Sequence, residues 1–464
     1  MDSQRTALTE GSIWKKMILF ALPILLGNVF QQFYNAFDSW SVGEFIGDDA
    51  MAAVSSSGSL IFMMIGFFNG VAMGAGVMIA RYFGARDYAR MSRAIHTDVA
   101  FGLVSGALLT IAGVVFTPTI LQWMDTPENV LPQSIDYFRY YFWGAIFTVM
   151  YNIFVGILHA VGDSRHPLYY LILSSFVNVV LDVVFLGVFH LGVGSAALAT
   201  TLSQGLSAAL CCIQLLRSKE PYKLEIRKIR FHWDSFKEII TYGLPSGVQN
   251  SVIAMANVVV QTNINSFGSA AMAGCGSYSR VEGFGFLPIT CFTQALATFV
   301  GQNLGARKYD RVKKGVYFGI GCSVILAELI GIASWVFAPQ LIGIFSSEDA
   351  SIDFGVRHMR TICLFYCLLA FSHCIAAILR GAGRATVPMF IMLGCWCVLR
   401  VSYITLAIRV VNELETVSWA YPITWGSSSL IFLIYFLKAD WMHTFERRSA
   451  QPHRHLWHHP HTHA

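Results

Sequence analysis

Between residues 16 and 437 the chain breaks into twelve apolar runs, roughly 16–41, 51–82, 95–120, 136–160, 167–189, 193–216, 236–265, 270–302, 315–340, 356–380, 387–410 and 416–437. A hydrocarbon core about 30 Å thick is crossed by roughly 20 apolar residues of helix. In lipid, every backbone N–H and C=O of a crossing segment must be bonded internally. Runs this long and this frequent point to an all-α polytopic membrane protein with twelve transmembrane helices. The composition agrees, since 55 % of the 464 residues are apolar and only 13 % are charged, which excludes an ordinary water-soluble globule. The first run follows Lys15 and Lys16 but is too long for a signal-peptide core and has no small-residue cleavage site behind it, so it is expected to be retained.

Lys and Arg set the orientation. The segments after the even-numbered runs carry Arg81, Arg86, Arg90, Arg93, Arg217, Lys219, Arg307, Lys308, Arg311, Arg380 and Arg384 among others, and the termini are also basic. The opposite loops hold Arg409 and little else, and are acidic at Asp48, Asp49, Asp125, Glu128, Glu348 and Asp349. Both termini are therefore expected in the cytoplasm of a cell whose plasma membrane the chain crosses many times. The net charge of +5 follows from this topology and gives no reason to expect a nucleic acid partner. The ten Cys all fall within the runs, without metal or redox spacing, and read as small hydrophobes.

The two halves repeat. "FALPILLGNVFQQFYNAFD" from residue 20 matches "YGLPSGVQNSVIAMANVVV" from residue 242, pairing Pro23 with Pro245, Asn28 with Asn250 and Asn35 with Asn257. After one residue of slippage, "FGARDYARM" (83–91) aligns with "LGARKYDRV" (304–312), and "ILHAVGDSRHP" (157–167) with "ILRGAGRATVP" (378–388). One offset held over more than a hundred residues indicates duplication. Each unit has an even number of helices, so the two enter the membrane the same way round, as parallel repeats with a pathway between them. The expected organisation is an N-terminal lobe at 1–217, a charged cytoplasmic linker at 218–234, a C-terminal lobe at 235–440 and a His-rich, disordered tail at 441–464.

The intramembrane acids do not follow the repeat. Asp38 corresponds to Val260, Asn178 to Leu399 and Asp182 to Tyr403, so the N-terminal lobe alone has an acidic site. Gln31, Tyr34, Asn35 and Asp38 are spaced by three, four and seven and are expected on one face of the first helix; Asn178 and Asp182, four apart, share a face of the fifth. Counted from the helix ends, Asp38, Asp182 and Thr200 all fall in the outer half of the membrane. A charged carboxylate there costs at least ~2.5 kcal/mol, a cost that a proton or metal cation removes. Asn152 is a further polar candidate for contact with a substrate. The second lobe offers Arg280, Glu282 and Arg400, of which Glu282 and Arg400 both fall near the midplane and are expected to pair.

These features together resemble the multidrug and toxic compound extrusion (MATE) transporters of bacterial type. The resemblance is carried by "ALPILLGNVFQQFYNAFD", "GARDYARMSRAIHT", "AVGDSRHPL", "NVVLDVVF" and "SRVEGF" followed by "FVGQNLGARKYDRV", in order, over about residues 13–438. It implies V-shaped lobes that alternate between outward- and inward-facing states while entry of Na⁺ or H⁺ drives export of organic, often cationic, drugs or metabolites. It also implies a coupling site at Asp38, Asn178, Asp182 and Thr200, with the carbonyl of Ala196 as a further ligand and Na⁺ as one possible occupant. Gln31 and Tyr34 match positions that line the adjoining cavity. The oxygen-only ligand set suits a hard monovalent cation. No cofactor beyond the coupling ion is expected, the chain is expected to act as a monomer in the lipid bilayer, and its partners are small organic molecules. Glu44, His159 and the pair Cys275 and Gly276 depart from the family pattern. A flippase for lipid-linked or amphiphilic substrates is the alternative within the same superfamily. An enzyme would need a cluster such as HExxH or a Cys–His pair, and the sequence has none.

Overall fold

The computed structural model describes residues 7–123, 131–346 and 348–445, without the side chains of 48–65 and 123. Residues 446–464 of the expected tail, Asp125 and Glu128, and the side chains of Asp48 and Asp49 therefore lie outside the described residues, whereas 441–445, expected in the disordered tail, are ordered, with Trp441, Thr444 and Phe445 buried and Thr444 accepting from Arg384. The N-terminal half comprises α1 (Ile13–Phe45), α2 (Asp48–Gly84), α3 (Tyr88–Trp123), α4 (Leu131–Trp143), α5 (Ala145–Ala160), α6 (Arg165–Asp182) and α7 (Gly194–Arg217). The C-terminal half comprises α8 (Trp233–Asn265), α9 (Ser269–Gly285), α10 (Leu287–Gly305), α11 (Tyr309–Val336), α12 (Ala338–Gly343), α13 (Asp349–Ile362), α14 (Tyr366–Gly381), α15 (Thr386–Met392), α16 (Arg400–Ala407), α17 (Leu414–Ser418) and α18 (Ala420–Lys438). No strand occurs among the described residues.

These helices make twelve spans. Eight are long and apolar enough to cross a membrane singly, and two bent pairs, α4 with α5 at 46° and α9 with α10 at 40°, raise the number to ten. The other two are α2 and α8, of 37 and 33 residues. The bends fall on the fourth and eighth spans, which the hydropathy pattern draws as continuous runs. Gly144 lies at the first break, where an added Cβ would collide with Thr201 of α7. At the second, Pro288 stands in the first turn of α10, where its missing N–H costs nothing. The fifth and eleventh spans each contain a π-helical segment, Val183–Val188 after α6 and Leu393–Leu399 before α16. Such segments shift the face a helix presents and recur at functional sites.

The halves meet along α2 and α8. A Cβ on Gly70 would overlap the backbone of Gly247, and one on Gly74 the backbone of Gly243. The pairing runs in opposite directions along the two chains, so the helices are antiparallel and their backbones touch. Small residues at four-residue spacing permit this approach, which dispersion and short polar contacts stabilise in the absence of a hydrophobic drive between helices. The second contact lies at the end of the bundle that carries the basic loops. There the completely buried amide of Gln302 accepts from the N–H of Leu8 at 2.9 Å and donates to the carbonyl of Ala160 at 2.7 Å. Arg311 and Lys308 add donors to the carbonyls of Leu8, Thr9, Glu10 and Gly11, so residues 8–11 lie strapped across the seam.

Candidate functional site

Asp38, Asn178, Asp182 and Thr200 come from α1, α6 and α7 and converge inside the N-terminal half, each buried. The Thr200 hydroxyl donates to Asp38 Oδ2 at 2.7 Å and approaches the carbonyl of Ala196 at 3.2 Å, a bond to the preceding turn that aims the hydroxyl inward. Asp182 and Asn178 stand within hydrogen-bonding reach of the Asp38 carboxyl. Yet Asp38 Oδ1, both carboxyl oxygens of Asp182, and Oδ1 and Nδ2 of Asn178 are buried with no bond of ordinary geometry to any described group. Two carboxyls, when ionised, bring acceptors only, so their close approach sets lone pairs against lone pairs. A shared proton or a small cation between the two carboxyls would relieve that opposition.

Tyr34 sits one turn nearer the middle of α1 and accepts a bond from Gln204 Nε2 at 3.1 Å. Its ring is buried and its hydroxyl lies in reach of Gln31 as well. Gln31 in turn lines a cavity of about 380 Å³ between the halves, bounded also by Pro23, Asn28, Asn69, Asn152, Gln294 and Arg380. A single helix therefore presents an acid site toward one end, a polar cavity wall toward the other, and Tyr34 between them.

Several sequence expectations need correction. Asn35 does not share the buried face: it is exposed and absent from the cavity lining, because a turn of 100° per residue carries it well round from Tyr34. Tyr34 does not line the cavity but stands between it and the acid site, its hydroxyl held by Gln204. Asn152 does line it, with its amide donating to the carbonyl of Thr148 at 2.8 Å. Glu282 and Arg400 form no ion pair among the described residues. Arg400, 1 % exposed, gives its two terminal nitrogens to Asn257 Oδ1 at 3.1 Å and Thr424 Oγ1 at 3.0 Å and lies over the rings of Trp396 and Tyr421. Glu282 accepts from the Tyr278 hydroxyl at 2.9 Å. Neutral oxygens and aromatic faces thus hold this guanidinium, a solution that depth counting alone does not distinguish from a carboxylate. Arg280 is exposed and lies 5.8 Å from the Phe345 ring, away from the cavity.

The asymmetry between the halves is built in side chains. Val260, the counterpart of Asp38, is buried in an apolar cluster with Ile264, Cys275, Ile404, Leu414, Val417 and Ala420. Sequence reasoning missed the glycine stripe and the Gln302 latch. The stripe has a legible signal, Gly66, Gly70 and Gly74 in one helix and Gly243 and Gly247 in the other. The latch has none, since its partners are backbone groups nearly 300 and about 140 residues away in sequence.

A family model described as MatE matches the sequence twice, over residues 23–184 and 245–406, which are the two repeats. The chain belongs to the MatE family. The MATE resemblance of the motifs thereby becomes a membership, and the twelve spans in two six-helix repeats are its architecture. The chain is 29 % identical over 437 residues to the probable multidrug resistance protein YoeA of Bacillus subtilis, a match that covers 92 % of this chain and 94 % of that one. It is 26 % identical over 383 residues to the probable multidrug resistance protein NorM of Thermotoga maritima, 82 % of each chain. Among solved structures, an outward-facing multidrug resistance MATE family transporter of the MOP superfamily superposes with a TM-score of 0.87 over 95 % of this chain and 98 % of that one, at 22 % identity. A MOP superfamily transporter from Pyrococcus furiosus gives 0.86 over 92 % and 96 %, at 23 % identity. At these identities the structures share the MatE fold with this chain.

Proposed function

We propose that the chain is a secondary active antiporter that exports organic drugs or metabolites from the cytoplasm in exchange for H⁺ or Na⁺ entering across the plasma membrane. The observation that carries this reading is the double duty of α1, whose Asp38 belongs to the acid site while Pro23, Asn28 and Gln31 wall the cavity between the halves. A cation taken up between Asp38 and Asp182 removes the repulsion of two close carboxylates and changes how the outer part of α1 packs on α6 and α7. That repacking is passed along one rigid helix to the cavity wall. Pro23, inside α1, lacks the N–H that would tie it to the preceding turn and makes that end of the helix easier to bend. Coupling requires only that cation and cargo bind the two conformations with different affinity.

The relatives support efflux, since several are described as multidrug resistance or multidrug export proteins. In this reading the basic end and both termini are cytoplasmic, the lobes are 1–217 and 235–440 joined by 218–234, and one copy of the chain holds the whole pathway. The ligands at the acid site are Asp38, Asn178, Asp182, Thr200 and the Ala196 carbonyl, oxygen donors that suit a proton or a hard monovalent cation equally. The cavity volume, about 380 Å³, is that of a drug-sized pocket and is small for a lipid-linked sugar with its chain, which favours efflux over the flippase alternative. The cationic cargo implied by the family resemblance finds no carboxylate among the described residues of the cavity lining.

The test is reconstitution in liposomes, with a Na⁺ gradient or a pH gradient imposed alone and release of a fluorescent dye followed. Whichever gradient drives the wild type, Asp38→Asn and Asp182→Asn at equal reconstitution should abolish driven transport, and Thr200→Val should slow it. Unchanged driven efflux in either Asn variant would refute the assignment.

A further inference from the structure

Among the described residues, the lining of the cavity between the halves has one full charge, and it is positive. Arg380, near the end of α14, contributes to the wall, while no Asp or Glu among the described residues does. Its Nε is buried without a partner, and among the described residues its guanidinium enters no hydrogen bond or ion pair. Arg384, four residues further on, shows what a structural arginine does in the same chain: it donates to Thr444 Oγ1 at 2.7 Å, the Tyr435 hydroxyl at 2.6 Å and the carbonyl of Asp440 at 3.0 Å. A guanidinium carries five donors, is always charged, and is costly to bury unless something accepts from it.

The repeat adds a second observation. "ILHAVG" aligns with "ILRGAG", so His159 is the counterpart of Arg380, and it lines the same cavity from the opposite half. Two nitrogen-bearing side chains related by the internal symmetry thus face one space from α5 and α14. Between them the wall is amide-rich, and Gln294 Oε1 is likewise buried without a partner. This lining can satisfy a polar neutral body and one anionic group, and offers nothing to neutralise a cation.

We infer that the basic-end part of this cavity is a subsite for an anionic group, a carboxylate, sulfonate or phosphate, held by the Arg380 guanidinium with His159 opposite. Naming that anion as part of the exported cargo rests on the antiport reading above; the subsite itself does not. The planar fork of the guanidinium matches the two oxygens of such a group. Its place beside the Gln302 and Ala160 contact puts the bound anion at the floor of the cavity, where opening of the seam would release or admit it.

The experiment is equilibrium dialysis of the purified full chain in detergent against two dyes on the same xanthene frame, 6-carboxyfluorescein, an anion, and rhodamine 6G, a cation. The wild type should retain 6-carboxyfluorescein. Arg380→Gln should weaken that binding roughly 30-fold, the loss expected when one partner of a buried charge pair is truncated. Arg380→Lys should recover part of it, and rhodamine 6G binding should not fall in either variant. An equal loss for both dyes, or unchanged 6-carboxyfluorescein binding in Arg380→Gln, would overturn the inference, as would a wild type that binds only rhodamine 6G. Competition by short-chain phosphatidylglycerol tells whether a lipid headgroup or a soluble amphiphile is the source of the anion. Because dialysis needs no gradient, a chain that binds the anion but transports no dye under any gradient would refute the antiport reading and leave the subsite intact.

Discussion

Gln302 is the residue through which the halves are most directly tied at the basic end, and its replacement gives a quantitative expectation. The amide is completely buried, accepts from Leu8 N–H at 2.9 Å and donates to the Ala160 carbonyl at 2.7 Å. In Gln302→Leu both backbone groups stay buried while the seam is closed and lose their partner. A buried unsatisfied group costs about 1–3 kcal/mol, whereas in a conformation where the seam is parted both groups meet water. Residues 8–11 can shift to hydrate the Leu8 N–H, so the net penalty on the closed state is about 2–3 kcal/mol, or a change of roughly 30- to 150-fold in the closed-to-open ratio. The measurement is electron–electron spin distance between labels at Arg90 and Lys313, exposed positions on α3 and α11. The native Cys are all buried or half-buried and compete little for label. The wild type should show one short distance population, and Gln302→Leu a substantial longer one. An unchanged distance distribution in Gln302→Leu would refute the reasoning, because it would mean that these two bonds do not hold the seam.

Two other expectations follow from the same structure. Gly74→Leu places a side chain where the Gly243 backbone now lies, so α2 and α8 must separate; the variant should lose the short-distance population altogether, and retention of it with normal yield would show that the contact is not tight. The connecting segment gives a pH dependence outside the membrane. His232 meets Thr97 Oγ1 at 3.2 Å and accepts from Arg230 Nε at 3.2 Å, and burial, then the nearby Arg230 and Arg93, lower its pKa below the ordinary 6.5. The docked segment therefore binds fewer protons than the free one, and its docking should weaken as pH falls through about 6.5. Amide hydrogen exchange at the His232 N–H, which donates to Thr97 Oγ1, should speed up on acidification beyond the intrinsic pH effect and not in His232→Gln.

Much of the molecule is legible in one dimension because the membrane imposes one-dimensional rules. Span length, internal backbone bonding and charge placement are local properties, so the twelve runs map onto twelve spans, and the breaks at Gly144 and Phe286 escape notice only because a bent helix and a straight one have the same hydropathy. The convergence of Asp38, Asn178, Asp182 and Thr200 is foreshadowed by helical spacing and by the missing partners in the second repeat. Asn35 shows the limit of spacing, since a residue at i+4 from Gln31 is also at i+1 from Tyr34, and only the neighbouring helices decide which face is covered. Glu282 and Arg400 show the limit of depth. Two opposite charges at equal depth need not meet when their helices present different faces, and Asn257, Thr424 and two aromatic rings take the carboxylate's place around Arg400.

The sequence by itself determined the fold class, the duplication, and the lack of any counterpart to Asp38 and Asp182 in the second half, because each rests on composition or periodicity along the chain. Tertiary structure alone decided that Asn35 turns away from the buried face, that Gln302 bolts the halves together, and that Arg380 shares its cavity with His159 and no described acid. Those are matters of which surfaces meet, and helices hundreds of residues apart meet according to side-chain shape and backbone approach, which no local pattern encodes.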